Sequence, residues 1–190
     1  FSYEESQRSI LKDINIKISK GKKIGIIGKS GSGKSTFVNI LIGLLKPNSG
    51  SVSIDNSNIN ENIREWHNMI SYIPQDIYLI DDSIKRNIAF GVDEEKIDHV
   101  KFDKAILASR SKDFIKNLPQ NFDTLVGDRG TRLSGGQKQR IGIARALYID
   151  PEIIVFDEAT SSLDEENEDK IMQDIDSLSY ECIKIIVTHR

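Results

Sequence analysis

The stretch Gly28-Lys29-Ser30-Gly31-Ser32-Gly33-Lys34-Ser35 constrains this chain more than any other. It follows an apolar run of strand length, Lys23 to Ile27. It precedes Phe37, Ile40, Leu41 and Leu44, whose i, i+3, i+4, i+7 spacing predicts one face of a helix ended by Lys46-Pro47-Asn48-Ser49-Gly50. Glycines at 28, 31 and 33 let successive backbone N–H groups point inward at anionic oxygens, and the following helix adds its positive N-terminal end. Lys34 supplies a full charge to the β and γ phosphates of a nucleotide, and Ser35 offers a hydroxyl to Mg2+. With Lys29, Ser30, Ser32 and Thr36 these residues are the candidate ATP-binding set. A plain Gly/Ser turn is the bland alternative, and a strand before with a helix after argues against it.

Apolar runs also occur at Val52 to Ile54, Ile70 to Ile73, Ile153 to Phe156 and Ile183 to Val187, with helical patterns between several of them. That alternation predicts a layered α/β domain whose parallel sheet forms a phosphate-loop NTPase core. The alternating segment Ile14 to Ile18 is expected to form a strand of an N-terminal antiparallel β layer. From about 77 to 147 the pattern is mostly helical, with pieces at Asp103 to Ser109 and Asp113 to Leu118, and is expected to be an inserted helical subdomain. Asp55 to Asn62, rich in Asn, reads as a solvated turn.

At 190 residues and 38% hydrophobic, the chain can bury the core of one domain. Its net charge of −3 offers no basic field of the kind nucleic acid usually requires, so no nucleic-acid partner is expected. Apolar stretches such as Ile40-Leu41-Ile42 fall far short of the roughly 20 residues of a membrane-spanning helix. The one cysteine, Cys182, cannot form an internal disulfide, which fits a reducing setting. The chain opens at Phe1 without a methionine or signal-like segment and stops at Arg190 directly after a β-like run, and is expected to be part of a longer polypeptide.

Two further motifs add chemistry. A carboxylate at the C-terminal end of a buried strand can face a metal while the strand's apolar side chains hold it still, and Asp157, closing Ile153 to Phe156, has that place. Glu158, next along, is the candidate general base that orients or deprotonates an attacking water; a helix-capping acid pair is the alternative. Leu133-Ser134-Gly135-Gly136-Gln137 opens an amphipathic run through Ile141, Ala144 and Leu147, so Ser134 suits an N-cap. A serine with two glycines at a helix start is also a second anion site, and one chain does not need two for one ATP. The resolution is that this motif serves the γ-phosphate of a nucleotide held by another copy.

In order and spacing these motifs resemble the nucleotide-binding domain of an ATP-binding cassette (ABC) transporter over essentially all of 1–190. The resemblance implies that Tyr3, 25 positions before Gly28, stacks on adenine, and that Gln75 in Ile73-Pro74-Gln75 reaches the metal and the attacking water. It implies that Ser161-Ser162-Leu163-Asp164 is the D-loop and His189 the switch histidine beside the γ-phosphate. Thr124 to Gly130 is similar to the X-loop of exporter-type cassettes, with Asp128 where glutamate is commoner. Trp66, His67 and His99 match no role and read as packing or surface residues.

The resemblance implies an ATPase at the cytoplasmic face of the inner membrane, pairing head to tail with a second nucleotide-binding domain and docking on a transmembrane domain of the same chain or complex. Tyr72 to Asp82 and Asn87 to Gly91 resemble bacterial exporters of lipid-linked saccharides, which points to a lipid-linked oligosaccharide or lipid as substrate and leaves lipids, peptides and drugs all open. The alternatives are a cassette ATPase acting on nucleic acid or the ribosome, and a nucleotide sensor without turnover. A gap of only 100 positions from Lys34 to Ser134, with no heptad run, opposes the long coiled coil of chromosome-structuring members. The presence of Gln75, Asp157, Glu158 and His189 opposes the sensor.

Overall fold

The computed structural model describes residues 1–3, 8–159, 165–178 and 181–188. Four parallel strands form the main sheet in the order β1 (Lys23–Ile27), β6 (Ile183–Thr188), β5 (Ile153–Asp157), β4 (Ile70–Ile73). The central β5 is buried from Ile153 to Phe156, the near-continuous apolar run of a parallel strand covered on both faces. Its alternate side chains divide the core. Ile153 and Val155 pack with Val38 and Ile42 at α1 (Lys34–Leu41) and with Trp66 of α2 (Ile63–Met69). Ile154 and Phe156 pack on the other face with Ile143 and Ala146 of α6 (Gly135–Tyr148) and with Ile171 and Ile175 of α7 (Glu165–Leu178).

Between β4 and α6 lie α3 (Ile84–Ile88), α4 (His99–Ala108) and α5 (Lys112–Ile115). Leu79, Ile84, Ile88, Phe102, Ile106, Ile115 and Ile141 form a core of their own there, joined to the sheet through Ile77 and Leu147. Helix α4 begins at His99, four residues before the expected Asp103, because the Asp98 carboxylate accepts from the N–H groups of Val100 and Lys101. Helix α5 is confined to Lys112–Ile115, short of the expected Leu118.

Two further local expectations are corrected. Ile14 to Ile18 forms no strand and pairs with none among the described residues; Ile14 and Ile16 are 50% and 62% exposed, so the alternation there has no buried face to fix a register. The antiparallel pair of this fold is instead β2 (Ser53–Ile54) with β3 (Ser57–Asn58), turned by Asp55 and Asn56 at φ 46° and 69°. Both values suit a tight hairpin turn, as the Asn-rich segment suggested. Leu44 is 66% exposed rather than on the buried face of α1. The helix closes at Gly43, φ 79°, where the Gly43 N–H donates to Ile40 O and the Leu44 N–H to Asn39 O, and this glycine cap turns Leu44 away. A Cβ on Gly43 would stand 2.4 Å from Ile63 Cδ1, so α2 packs directly on that turn. Trp66 is a packing residue and His67 a surface one, within the packing-or-surface reading: the Trp66 indole N–H donates to Leu41 O at 3.0 Å, and the exposed His67 bonds Ile42 O through Nε2 at 3.0 Å.

Candidate nucleotide site

Ladder register brings the chemistry to one edge. Ile27 pairs with Thr188, Asp157 with Val187 and Ile73 with Phe156, so the loop after β1, the acids ending β5 and Pro74-Gln75 after β4 all leave the sheet at its C-terminal side. That edge is where open α/β sheets take ligands. Within the loop, Gly31 and Gly33 stand at φ 77° and 92°, conformations that disfavour a side chain. Gly33 is also the N-cap of α1 and offers no side-chain cap. The Lys34 ammonium donates to Gly28 O at 2.7 Å and Lys29 O at 3.2 Å, so it lies over the loop it follows. Lys29, Ser30, Gly31, Ser32 and Ser35 are exposed.

Tyr3 sits beside the first turn of α1: its hydroxyl shares a 3.3 Å hydrogen bond with Thr36 Oγ1, and its ring meets Phe1 edge-on at 5.0 Å. Ile10 and Leu11 are neighbours that sequence reading missed, with methyl carbons 3.0 and 3.2 Å from where a Cβ on Gly33 would lie. Nothing in an isolated apolar pair signals contact with a loop more than twenty residues on.

Asp157 points to the same sheet face as Val155, the face carrying α1 and Ser35. The Tyr72 hydroxyl donates to Asp157 Oδ2 at 2.9 Å. Burial, then that bond and the carboxylate's charge, push the Tyr72 phenol above its ordinary value. Glu158 is left-handed at φ 52°, a costly state for a residue with a Cβ, and its N–H donates to Val187 O. Gln75 is exposed just past β4. His189 and Ser161 to Asp164 lie outside the described residues.

Ser134 and Gln137 belong to a helix across the sheet from α1. They open α6, on the opposite face of the sheet from α1, with Ser134 and Gly135 exposed. The Gln137 N–H donates to Ser134 Oγ at 3.3 Å and the Ser134 N–H to Gln137 Oε1 at 2.9 Å, a closed capping box.

The segment after Gln75 is fastened to the same helix. Arg145 donates from Nε to Asn87 O at 2.7 Å, from Nη1 to Tyr78 O at 2.8 Å and from Nη2 to Asn87 Oδ1 at 2.9 Å, and its guanidinium lies 5.3 Å from the Phe90 ring centre. Burial holds the Arg145 guanidinium below its usual range. A Cβ on Gly142 would come within 2.6 Å of Ile77 Cδ1, so only glycine lets Ile77 lie this close to α6. Thr124 to Val126 runs against the same segment: Val126 N–H donates to Asp82 O, Ile84 N–H to Thr124 O, and Leu125 bridges to Ser83.

A glycine loop between a parallel strand and a helix, facing an acid at the end of a second strand, defines a phosphate-loop nucleoside triphosphatase. The chain belongs to the ABC transporter family, whose model matches residues 11–161. It is 43% identical, over its whole length and 33% of the relative's, to the Staphylococcus aureus protein named "Putative multidrug export ATP-binding/permease protein". It is 38% identical to the ATP-dependent lipid A-core flippase of Cupriavidus pinatubonensis, covering 32% of that protein. The solved structure of a bacterial Atm1-family ABC exporter with ATP bound superposes with a TM-score of 0.92 at 36% identity, over all of this chain and 33% of that one. The chain thus spans about a third of the length of these relatives.

Proposed function

We propose that the chain is the ATP-hydrolysing motor of an ABC exporter. The observation that carries this reading is the pairing of one sheet edge, bearing Lys34, Asp157, Glu158 and Gln75, with an exposed Ser134 on the other side of the sheet. One copy has the phosphate loop and the acids; a second copy, head to tail, supplies Ser134 to Gln137. Lys34 and the N–H groups at the start of α1 hold the phosphates, Tyr3 stacks on adenine, and Glu158 orients the water for in-line attack with Gln75 and His189.

The donor set fits magnesium. Ser35 hydroxyl, Asp157 carboxylate and Gln75 amide oxygen are hard oxygen donors, and few protein ligands suffice for an ion shared with phosphates. Among the described residues no group of three or more His, Cys, Asp or Glu gathers to hold a metal alone. When bound, Mg2+ neutralises charge developing on the phosphate oxygens.

Membrane attachment belongs to a transmembrane part, since among the described residues no helix is long and apolar enough to cross a bilayer. Tyr78, Phe90 and Leu125 are large exposed apolar side chains around the Arg145 clamp, and this surface docks on that part. The substrate class we propose is a lipid or lipid-linked oligosaccharide, which the flippase relative supports and the relative named for multidrug export does not. The two named relatives, an export protein and a flippase, give no support to a nucleic-acid or ribosome cassette.

Glu158→Gln tests the reading. Phosphate release should fall about a thousandfold while ATP binding persists and an ATP-bound dimer accumulates, seen by size-exclusion chromatography. Hydrolysis at the parent rate would remove Glu158 from the role of base.

A further inference from the structure

We propose that Tyr72 is the positioning residue for the Asp157 carboxylate, holding it in the orientation in which it faces magnesium. The inference rests on the proposed role of Asp157 and goes beyond it. Tyr72 pairs across the ladder with Val155, and side chains alternate along a strand, so Tyr72 and Asp157 point to the same face of the sheet from adjacent strands. Ile70, two residues before Tyr72 and on the same face, packs in the cluster that contains Val38 of α1. The phenol therefore stands on the phosphate-loop side, where its hydroxyl meets Asp157 Oδ2 at 2.9 Å.

A carboxylate at the end of a strand has two free side-chain torsions. A charge-assisted hydrogen bond from a phenol, which is itself stiff and anchored on a neighbouring strand, removes much of that freedom before any ion arrives. The hydroxyl commits one carboxylate oxygen and leaves the other for the ion or its water. Tyrosine suits this place because its donor sits at the end of a rigid ring, long enough to reach from β4 past the Val155 level to Asp157.

Tyr72→Phe keeps the ring and deletes only the donor. In the full-length protein that carries this chain, Mn2+ binding to the ATP complex can be followed by loss of the free-ion paramagnetic resonance signal, beside ATP binding in EDTA and thermal melting in EDTA. The expected result is an apparent Kd for Mn2+ raised about tenfold with metal-free ATP affinity unchanged. A purely structural tyrosine would shift the melt and leave the Mn2+ affinity alone, and that result overturns the proposal. Asp157→Asn separates the two layers. If it weakens Mn2+ and Tyr72→Phe does not, the positioning role fails and the reading of Asp157 stands; if neither weakens Mn2+, the metal role of Asp157 fails and the positioning role with it.

Discussion

Helices α1 and α6 both start on glycine-rich turns and start in opposite ways. At α1 the N-cap is Gly33, with no side chain to close the helix, and Lys34 reaches back to the loop carbonyls. At α6 the N-cap is Ser134, closed reciprocally with Gln137. In the first arrangement the N-cap residue has no side chain to take the helix's N-terminal N–H groups, the groups that suit phosphate oxygens. The second orders an exposed helix end without a ligand. It uses only acceptors of the two side chains, so the Ser134 hydroxyl proton and the Gln137 amide N–H groups can still donate outward. In the proposed reading, the helix start that takes the chain's own nucleotide is the one left open, and the one offered to a second copy's nucleotide is the one closed by its own side chains.

This contrast can be broken most sharply on turnover. Ser134→Ala should cut phosphate release by about a hundredfold while a single copy binds ATP as before, whereas Lys34→Ala should lose both, read by phosphate assay and calorimetric titration. Equal loss of monomer binding in the two variants would erase the distinction between the helix starts. A smaller effect is expected where α6 is seated. Arg145→Ala removes three hydrogen bonds to a segment whose Asn87 is 0% exposed, and should cost about 2 kcal/mol in denaturant unfolding. Turnover should fall with ATP binding at α1 preserved. The smallest effect lies away from both helix starts. Burial acts to raise Asp176, but Lys184 at 3.0 Å and Lys23 at 3.5 Å outweigh it and hold the carboxyl below its ordinary range. A depressed acid stabilises the fold above its unfolded value and loses that contribution as pH falls through the folded one. Melting temperature should therefore drop on acidification below about pH 4, and less steeply in Asp176→Asn.

Much of the fold and of the candidate site was legible in the sequence because the signals are local. The Gly28 to Ser35 loop, the acid pair closing an apolar strand and the Ser134–Gln137 box each lie within about eight residues, where backbone conformation and side-chain chemistry determine one another. The misreadings were also local patterns, but ones whose outcome depended on something distant. Ile14 to Ile18 alternates like a strand and pairs with no strand among the described residues. Leu44 continues the period of α1 and is overruled by the cap at Gly43, where Ile63 of α2 packs.

From sequence alone, then, came the family, the nucleotide loop, the candidate base and the helix that presents Ser134. Only the tertiary structure decided that Asp157 is gripped by Tyr72, 85 positions earlier, and that Arg145 binds Asn87, 58 positions away. Such contacts depend on strand order and on which face each residue takes. Those follow from how all the apolar surfaces are buried together, and no short stretch of residues carries that information.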